Sequence, residues 1–131
     1  MRYIMRKLLT ILAIIFTTSV SAQAVLSLEN PTVTIENKKF TLLDINPMGA
    51  AYVKYEEYQD GKLLKSGTYF DNKLHGVWTL YDEMGNISSS VTYNNGNKVS
   101  YTTITESKTI TVKYLNNKPI NVITEVSLAS N

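Results

Sequence analysis

Apolar and polar residues alternate with a period of two over most of this chain. Ile87, Val91 and Tyr93 stand against Ser88, Ser90 and Thr92, and Ile110, Val112 and Tyr114 against Thr109, Thr111 and Lys113. Such alternation predicts half-buried strands, with one face apolar and aromatic and the other wet. Between the alternating runs stand Asp60-Gly61, Asp71-Asn72, Asp82 to Asn86, Asn95-Gly96, Glu106-Ser107 and Asn116-Asn117. Asn, Asp and Gly tolerate the positive φ that tight hairpins require. Strands are therefore expected over 52–58, 63–70, 77–81, 87–93, 98–105, 108–114 and 120–126. Upstream, 33–36 and 39–43 read as a first pair around Asn37-Lys38, and 44–51, rich in breakers, as an irregular connection. No 3.6-residue apolar stripe occurs beyond the first segment. The expected class is all-β, a run of hairpins.

The hairpins repeat. Gly61 and Gly85 are 24 residues apart, as are Tyr69 and Tyr93, Leu63 and Ile87, and Gly76 and Ser100. A period in this range is the signature of a repeat architecture. The last unit is shorter, with 21 residues from Tyr93 to Tyr114.

The beginning of the chain follows a different rule. Arg2, Arg6 and Lys7 precede an apolar run from Leu8 to Phe16, and Val20-Ser21-Ala22 supplies small residues after it. This is the pattern of a Sec-type signal-peptide helix cleaved after Ala22, with a run shorter than the roughly 20 residues of a spanning helix. The expected organisation is signal peptide 1–22, N-terminal strands and connection 23–51, and hairpin-repeat domain 52–131. The protein is then exported, periplasmic or secreted, with no transmembrane span in the mature chain. The chain has no cysteine, which excludes both disulfides and attachment of lipid to an N-terminal Cys.

Removing that segment changes the charge. Three of the thirteen basic residues leave, so ten face eleven acids and the formal net charge falls from +2 to −1. No arginine remains. Such a chain lacks the clustered basic charge that phosphate-backbone binding requires, so nucleic acid is not an expected partner. About 109 residues suffice for one small domain burying about 65% of its unfolded surface. Without disulfides, it must be held by apolar and aromatic packing.

The unit Gly76-Val-Trp78-Thr-Leu-Tyr81, then Gly85-Asn86, then Tyr93-Asn-Asn-Gly96-Asn-Lys98 resembles the bacterial variant of the MORN repeat. The preceding unit contributes Tyr55, Tyr58, Gly61-Lys62, Tyr69, Asp71-Asn72-Lys73 and Leu74-His75-Gly76. The likeness covers 52–105 well and 108–118 weakly, and stops upstream of Gly49. Ser100, Thr102 and Thr105 replace the Gly, Trp and Tyr of the pattern, so the third unit is degenerate. The signal ending in Ser-Ala-Gln is similar to those of exported Bacteroidetes-type proteins. The resemblance implies a twisted antiparallel β-meander, one hairpin per repeat, and a non-enzymatic binding or scaffold role. Some bacterial relatives carry an antitoxin label.

No catalytic, cofactor or metal site is expected. His75 occupies a repeat position beside a turn. Ser88, Ser89 and Ser90 alternate in direction along a strand, as do Glu56 and Glu57, while Asp82 and Glu83 sit in a turn. A nucleotidyltransferase-type enzyme would need a doubly wound α/β domain and a His-x-Gly-His-type phosphate motif, and this chain has one histidine. The feature that suggests function is the aromatic series. Tyr55 and Tyr101 belong to it, and Tyr58, Tyr69, Trp78, Tyr81, Tyr93 and Tyr114 form the candidate aromatic face. Read structurally, these rings are cross-strand ladders. Read functionally, part of the ladder receives a protein, a glycan or an envelope surface. An antitoxin or immunity-like protein is the alternative. The apolar strand 120–126 is expected either to pair with 33–43 or to mediate self-association.

Overall fold

The computed structural model describes residues 12–15, 23–26 and 29–126. Eleven strands follow one another: β1 (Leu12–Ile15), β2 (Gln23–Leu26), β3 (Thr32–Ile35), β4 (Lys38–Ile45), β5 (Ala51–Gln59) and β6 (Lys62–Phe70), then β7 (Lys73–Tyr81), β8 (Ile87–Asn94), β9 (Asn97–Ile104), β10 (Lys108–Leu115) and β11 (Lys118–Val126). Strands β3 to β11 form one nine-stranded antiparallel sheet in sequence order, an open meander, as the alternation and turns predict.

The turns carry the backbone strain the sequence prepares for. Asp60, Asp71, Asn72, Asn95, Asn116 and Asn117 all adopt positive φ between 49° and 64°, a region that Asn and Asp enter more readily than other residues with a Cβ. The connection expected to be irregular over 44–51 is much shorter. Asn46 to Ala50 forms a tight loop in which Asn46 Oδ1 accepts from the amides of Met48 and Ala50. Asp82 Oδ1 does the same for Met84 and Asn86. In both loops the first residue's amide donates to the fifth residue's carbonyl. The N-P-M-G-A and D-E-M-G-N segments are thus one loop design, and the hairpin architecture begins before Gly49. Strands on both sides of residue 51 join the same sheet.

Pairing creates one row of side chains across all nine strands. Val33, Phe40, Tyr55 and Gly67 are successive cross-strand partners, and Trp78, Val91, Tyr101, Val112 and Val122 continue the row. We call this the inner face. Its N-terminal half is the core: Phe40, Leu42, Ala51, Val53, Tyr55 and Trp78 are buried, joined by Leu26 at the end of β2. Phe40 and Leu26 are fully buried.

Register shifts decide which residues join the row. Between β6 and β7, Thr68 pairs with His75 and Ser66 with Thr79, so Gly76, Val77 and Trp78 together face Gly67. Gly76 sustains this with φ of 73°. One repeat later Ser100 stands in its place, and positive φ is costly for a residue with a Cβ. There the shift shrinks to one residue, because Tyr93 pairs with Lys98 and Thr92 with Ser100. Tyr101, not Thr102, therefore takes the inner position opposite Val91. The degenerate unit keeps an aromatic ring in the row by moving its register.

One expectation is corrected, and one of the two alternatives for 120–126 is removed. The apolar run of the first segment was expected to be helical, but Leu12–Ile15 is extended and pairs antiparallel with Gln23–Leu26. A short apolar run satisfies either geometry, and a partner strand settles it. The other residues of that run, and the expected cleavage site after Ala22, lie outside the described residues. Strand β11 does not pair with 33–43 either. A meander in sequence order puts β11 and β3 at opposite edges.

Candidate functional site

The six candidate aromatic residues do not share one face. Tyr69, Trp78, Tyr93 and Tyr114 lie on the inner face, whereas Tyr58 and Tyr81 lie on the outer one. Within a strand, residues an odd number apart point to opposite sides. Tyr58 is three residues from Tyr55, and Tyr81 three from Trp78. The outer pair serve local contacts: Tyr81 Oη lies 3.2 Å from Ser66 Oγ and Tyr58 Oη donates to Glu56 Oε2 at 3.3 Å. Tyr52 and Phe70 also stack on this face, their centroids 4.3 Å apart, so it is less wet than the alternation predicts.

On the inner face the rings form a packed group. Trp78 lies 5.4 Å from Tyr55 and 4.9 Å from Tyr69 between centroids, and Phe40 meets Tyr55 edge-on at 5.1 Å. The indole Nε1 donates to the Thr68 carbonyl at 2.9 Å, tying the ring to the neighbouring strand. Trp78 is only 7% exposed. Its contacts are those of a core residue, and the edge left open lines the groove beside it. Tyr114, farther along the sheet, carries the Lys98 ammonium 5.0 Å from its ring centroid.

Beside this group the inner face opens into a groove of about 270 Å³, walled by Tyr69, Leu74, Trp78, Leu80, Val91 and Tyr93. Lys65 and Ser89 also line it. Ser89 is 7% exposed, and its hydroxyl has no hydrogen-bond partner among the described residues. Because Ser89 lines the groove, its hydroxyl is available to water or to a polar group placed there. Sequence reasoning singled out neither Ser89 nor Lys65 for this role. A signal existed: Ser89, Val91 and Tyr93 are two residues apart and must share a face.

The remaining polar residues are dispersed over both faces of the sheet. His75 lies on the outer face, where its Nδ1 accepts the Asn95 amide at 3.2 Å. Ser88 Oγ donates to the Leu80 carbonyl, while Ser89 and Ser90 point to opposite faces. Glu57 accepts from Tyr55 Oη at 2.6 Å on the inner face, and Glu56 meets Tyr58 on the outer.

Burial raises the phenol pKa of both Tyr55 and Tyr69. For Tyr55, the hydrogen bond to Glu57 and that carboxylate's charge add to the effect. For Tyr69 the Glu57 charge adds to it. The folded state therefore holds these protons more tightly than the unfolded chain, whose tyrosines ionise near about pH 10. Their contribution to stability is complete below that pH and is lost as pH rises towards the folded values. Stability is expected to fall progressively above about pH 10. In a spectrophotometric titration, Tyr55 and Tyr69 should ionise above the ordinary tyrosine range, together with loss of the near-ultraviolet circular dichroism signal. Ionisation of every tyrosine in the folded protein near pH 10 would contradict their placement.

No family model matches the chain, and no curated protein does. Two solved structures resemble it. A TarM crystal structure is 13% identical and covers 91% of this chain, with a TM-score of 0.47. An S. aureus TarM variant in complex with fondaparinux, α-GlcNAc-glycerol and UDP is 14% identical over 90% of this chain, with a TM-score of 0.40. In each case the matched region is 22% of the TarM chain, so this chain corresponds to about a fifth of that protein's length.

Proposed function

We propose that this protein is an exported, non-enzymatic β-repeat module of MORN-like type that binds an extended glycan on the inner face of its sheet. The observation that carries this reading is the buried Ser89 hydroxyl, without a partner among the described residues, in a groove walled by Trp78, Tyr69 and Tyr93. Aromatic walls offer apolar surface to the C–H face of a sugar ring, and the Ser89 hydroxyl and Lys65 ammonium supply polar contacts to its hydroxyls. The groove lies just below the usual range of about 300–1,000 Å³ for enclosed small-molecule sites. That size suits one unit of a chain whose other units lie along the open face over β8 to β11. The dispersal of His75, the serines and the glutamates supports binding rather than turnover.

Retention on immobilised envelope polysaccharides, with peptides as the comparison, tests the proposal. Purified protein should be retained by a polysaccharide and released by its soluble fragments. Lys65→Ala should weaken retention about tenfold, the equivalent of one charge-assisted hydrogen bond, with an unchanged melting temperature. Retention only by peptides or by a single small protein, or an unaffected Lys65→Ala variant, would overturn the glycan reading. The single-protein result would favour an immunity-like role.

A further inference from the structure

The two edges of the sheet are built differently. Strand β3 has four residues, begins just after Pro31, and is backed by the Leu42 amide donating to the Pro31 carbonyl. A short edge headed by proline is poorly suited to accept another strand. Strand β11 has nine residues, all exposed, with Ile120, Val122 and Val126 each at least 60% exposed. Its two charges, Lys118 and Glu125, lie near its ends, and neither forms a salt bridge among the described residues. Pro119 and the shift around Ile120 disrupt its start, leaving Asn121 to Val126 as a regular edge.

We propose that this edge pairs with the same edge of a second copy, antiparallel about a two-fold axis through Ile123. Two-fold symmetry requires cross-strand partners to lie on the same face, so the register can change only in steps that preserve face. Centred on Ile123, it sets Ile123 against its counterpart and Val122 against Thr124. It also sets Asn121 against Glu125, and it does so twice. The Asn121 side-chain amide can then donate to the partner copy's Glu125 carboxylate, a charge-assisted hydrogen bond across each end of the contact. Valine, isoleucine and threonine fill the middle, the residues best fitted to such a pair. The inner-face row that ends at Val122 would continue into the second molecule, joining two nine-stranded sheets. The pairing uses the backbone edge of β11 and is independent of the glycan-binding reading, which uses the inner face and its groove over β6 to β8.

The natural chain has no cysteine, so a single introduced thiol reports this geometry without background. Opposed residues across an antiparallel pair have Cβ atoms about 4.5–5.5 Å apart, and backbones at such a pair lie within reach of a disulfide. Ile123→Cys is expected to cross-link to dimer under mild oxidation. Val77→Cys, exposed on the outer face away from the edge, is expected to stay largely monomeric. Ile123→Lys places like charges together at the axis and is expected to sediment as a monomer with an unchanged far-ultraviolet spectrum. A wild-type protein that sediments as a monomer at its highest soluble concentration would overturn the proposal. So would equal cross-linking of the two cysteine variants, or a dimer that survives Ile123→Lys.

Discussion

Trp78→Ala is expected to cost about 3–5 kcal/mol, the range for deleting a large aromatic side chain from a core. A domain of this size has a total stability of about 5–15 kcal/mol. The loss is large because several contacts go at once. The indole fills the space between Tyr55 and Tyr69, covers Gly67 and donates to the Thr68 carbonyl. The melting temperature should fall by more than about 12 °C, given about 4 °C or more per kcal/mol for a small domain. Differential scanning calorimetry of the purified variant measures this directly. A folded variant with a nearly unchanged melting temperature would show that Trp78 is not the centre of the core.

Gly67→Ala is the second large effect and arises from the opposite error, too much volume. A Cβ at Gly67 would lie 2.0 Å from Trp78 Cδ2, 2.3 Å from Cε2 and 2.5 Å from Cγ. Those are ring atoms of a side chain held on two sides by other rings and tied by its own N–H. The indole must therefore tilt out or the strands must separate. Overpacking usually costs about 1–3 kcal/mol, and a rigid ring against backbone puts this case at the upper end, about 3 kcal/mol. The two substitutions should not add. Once Trp78→Ala has removed the ring, Gly67→Ala should cost little or even stabilise slightly, since a glycine within a strand is about 0.5–1 kcal/mol worse than alanine. Chemical denaturation of both single variants and the double variant closes the cycle. Additive losses would show that the contact between ring and backbone is not what requires glycine.

This pair marks the limit of what periodicity reveals. Trp78 is recognisable as a core residue, since it is the chain's only tryptophan and lies in an apolar strand within the repeated unit. That it rests on Gly67 is not recognisable. Gly67 lies between Ser66 and Thr68, has no unusual φ, and is eleven residues away along the chain. Only the two-residue shift between β6 and β7 brings them together. The same applies to Tyr101, whose place in the row depends on a smaller shift one repeat later. The split of the aromatic face was legible, by contrast. A spacing of three between Trp78 and Tyr81, and between Tyr55 and Tyr58, sends the members of each pair to opposite sides of any regular strand. The groove was half legible: Ser89, Val91 and Tyr93 are placed together by their spacing, but Lys65, Leu74 and Leu80 come from other strands.

Local chemistry by itself determined the class of fold, the position of nearly every turn and the order of the strands in the meander. Alternation of side chains and tolerance of positive φ act over a few residues, and short turns leave consecutive strands little choice but to pair. The tertiary structure alone decided the register of each pair, and therefore which rings meet, which glycine is covered and which serine lines the groove with no hydrogen-bond partner among the described residues. It also brought Leu26 into the core and left β11 as a long open edge. Register depends on how many extra residues each bulge absorbs, a balance between backbone strain on one strand and packing against the next. A single chain read in isolation does not contain that second strand's contribution until the two are in contact.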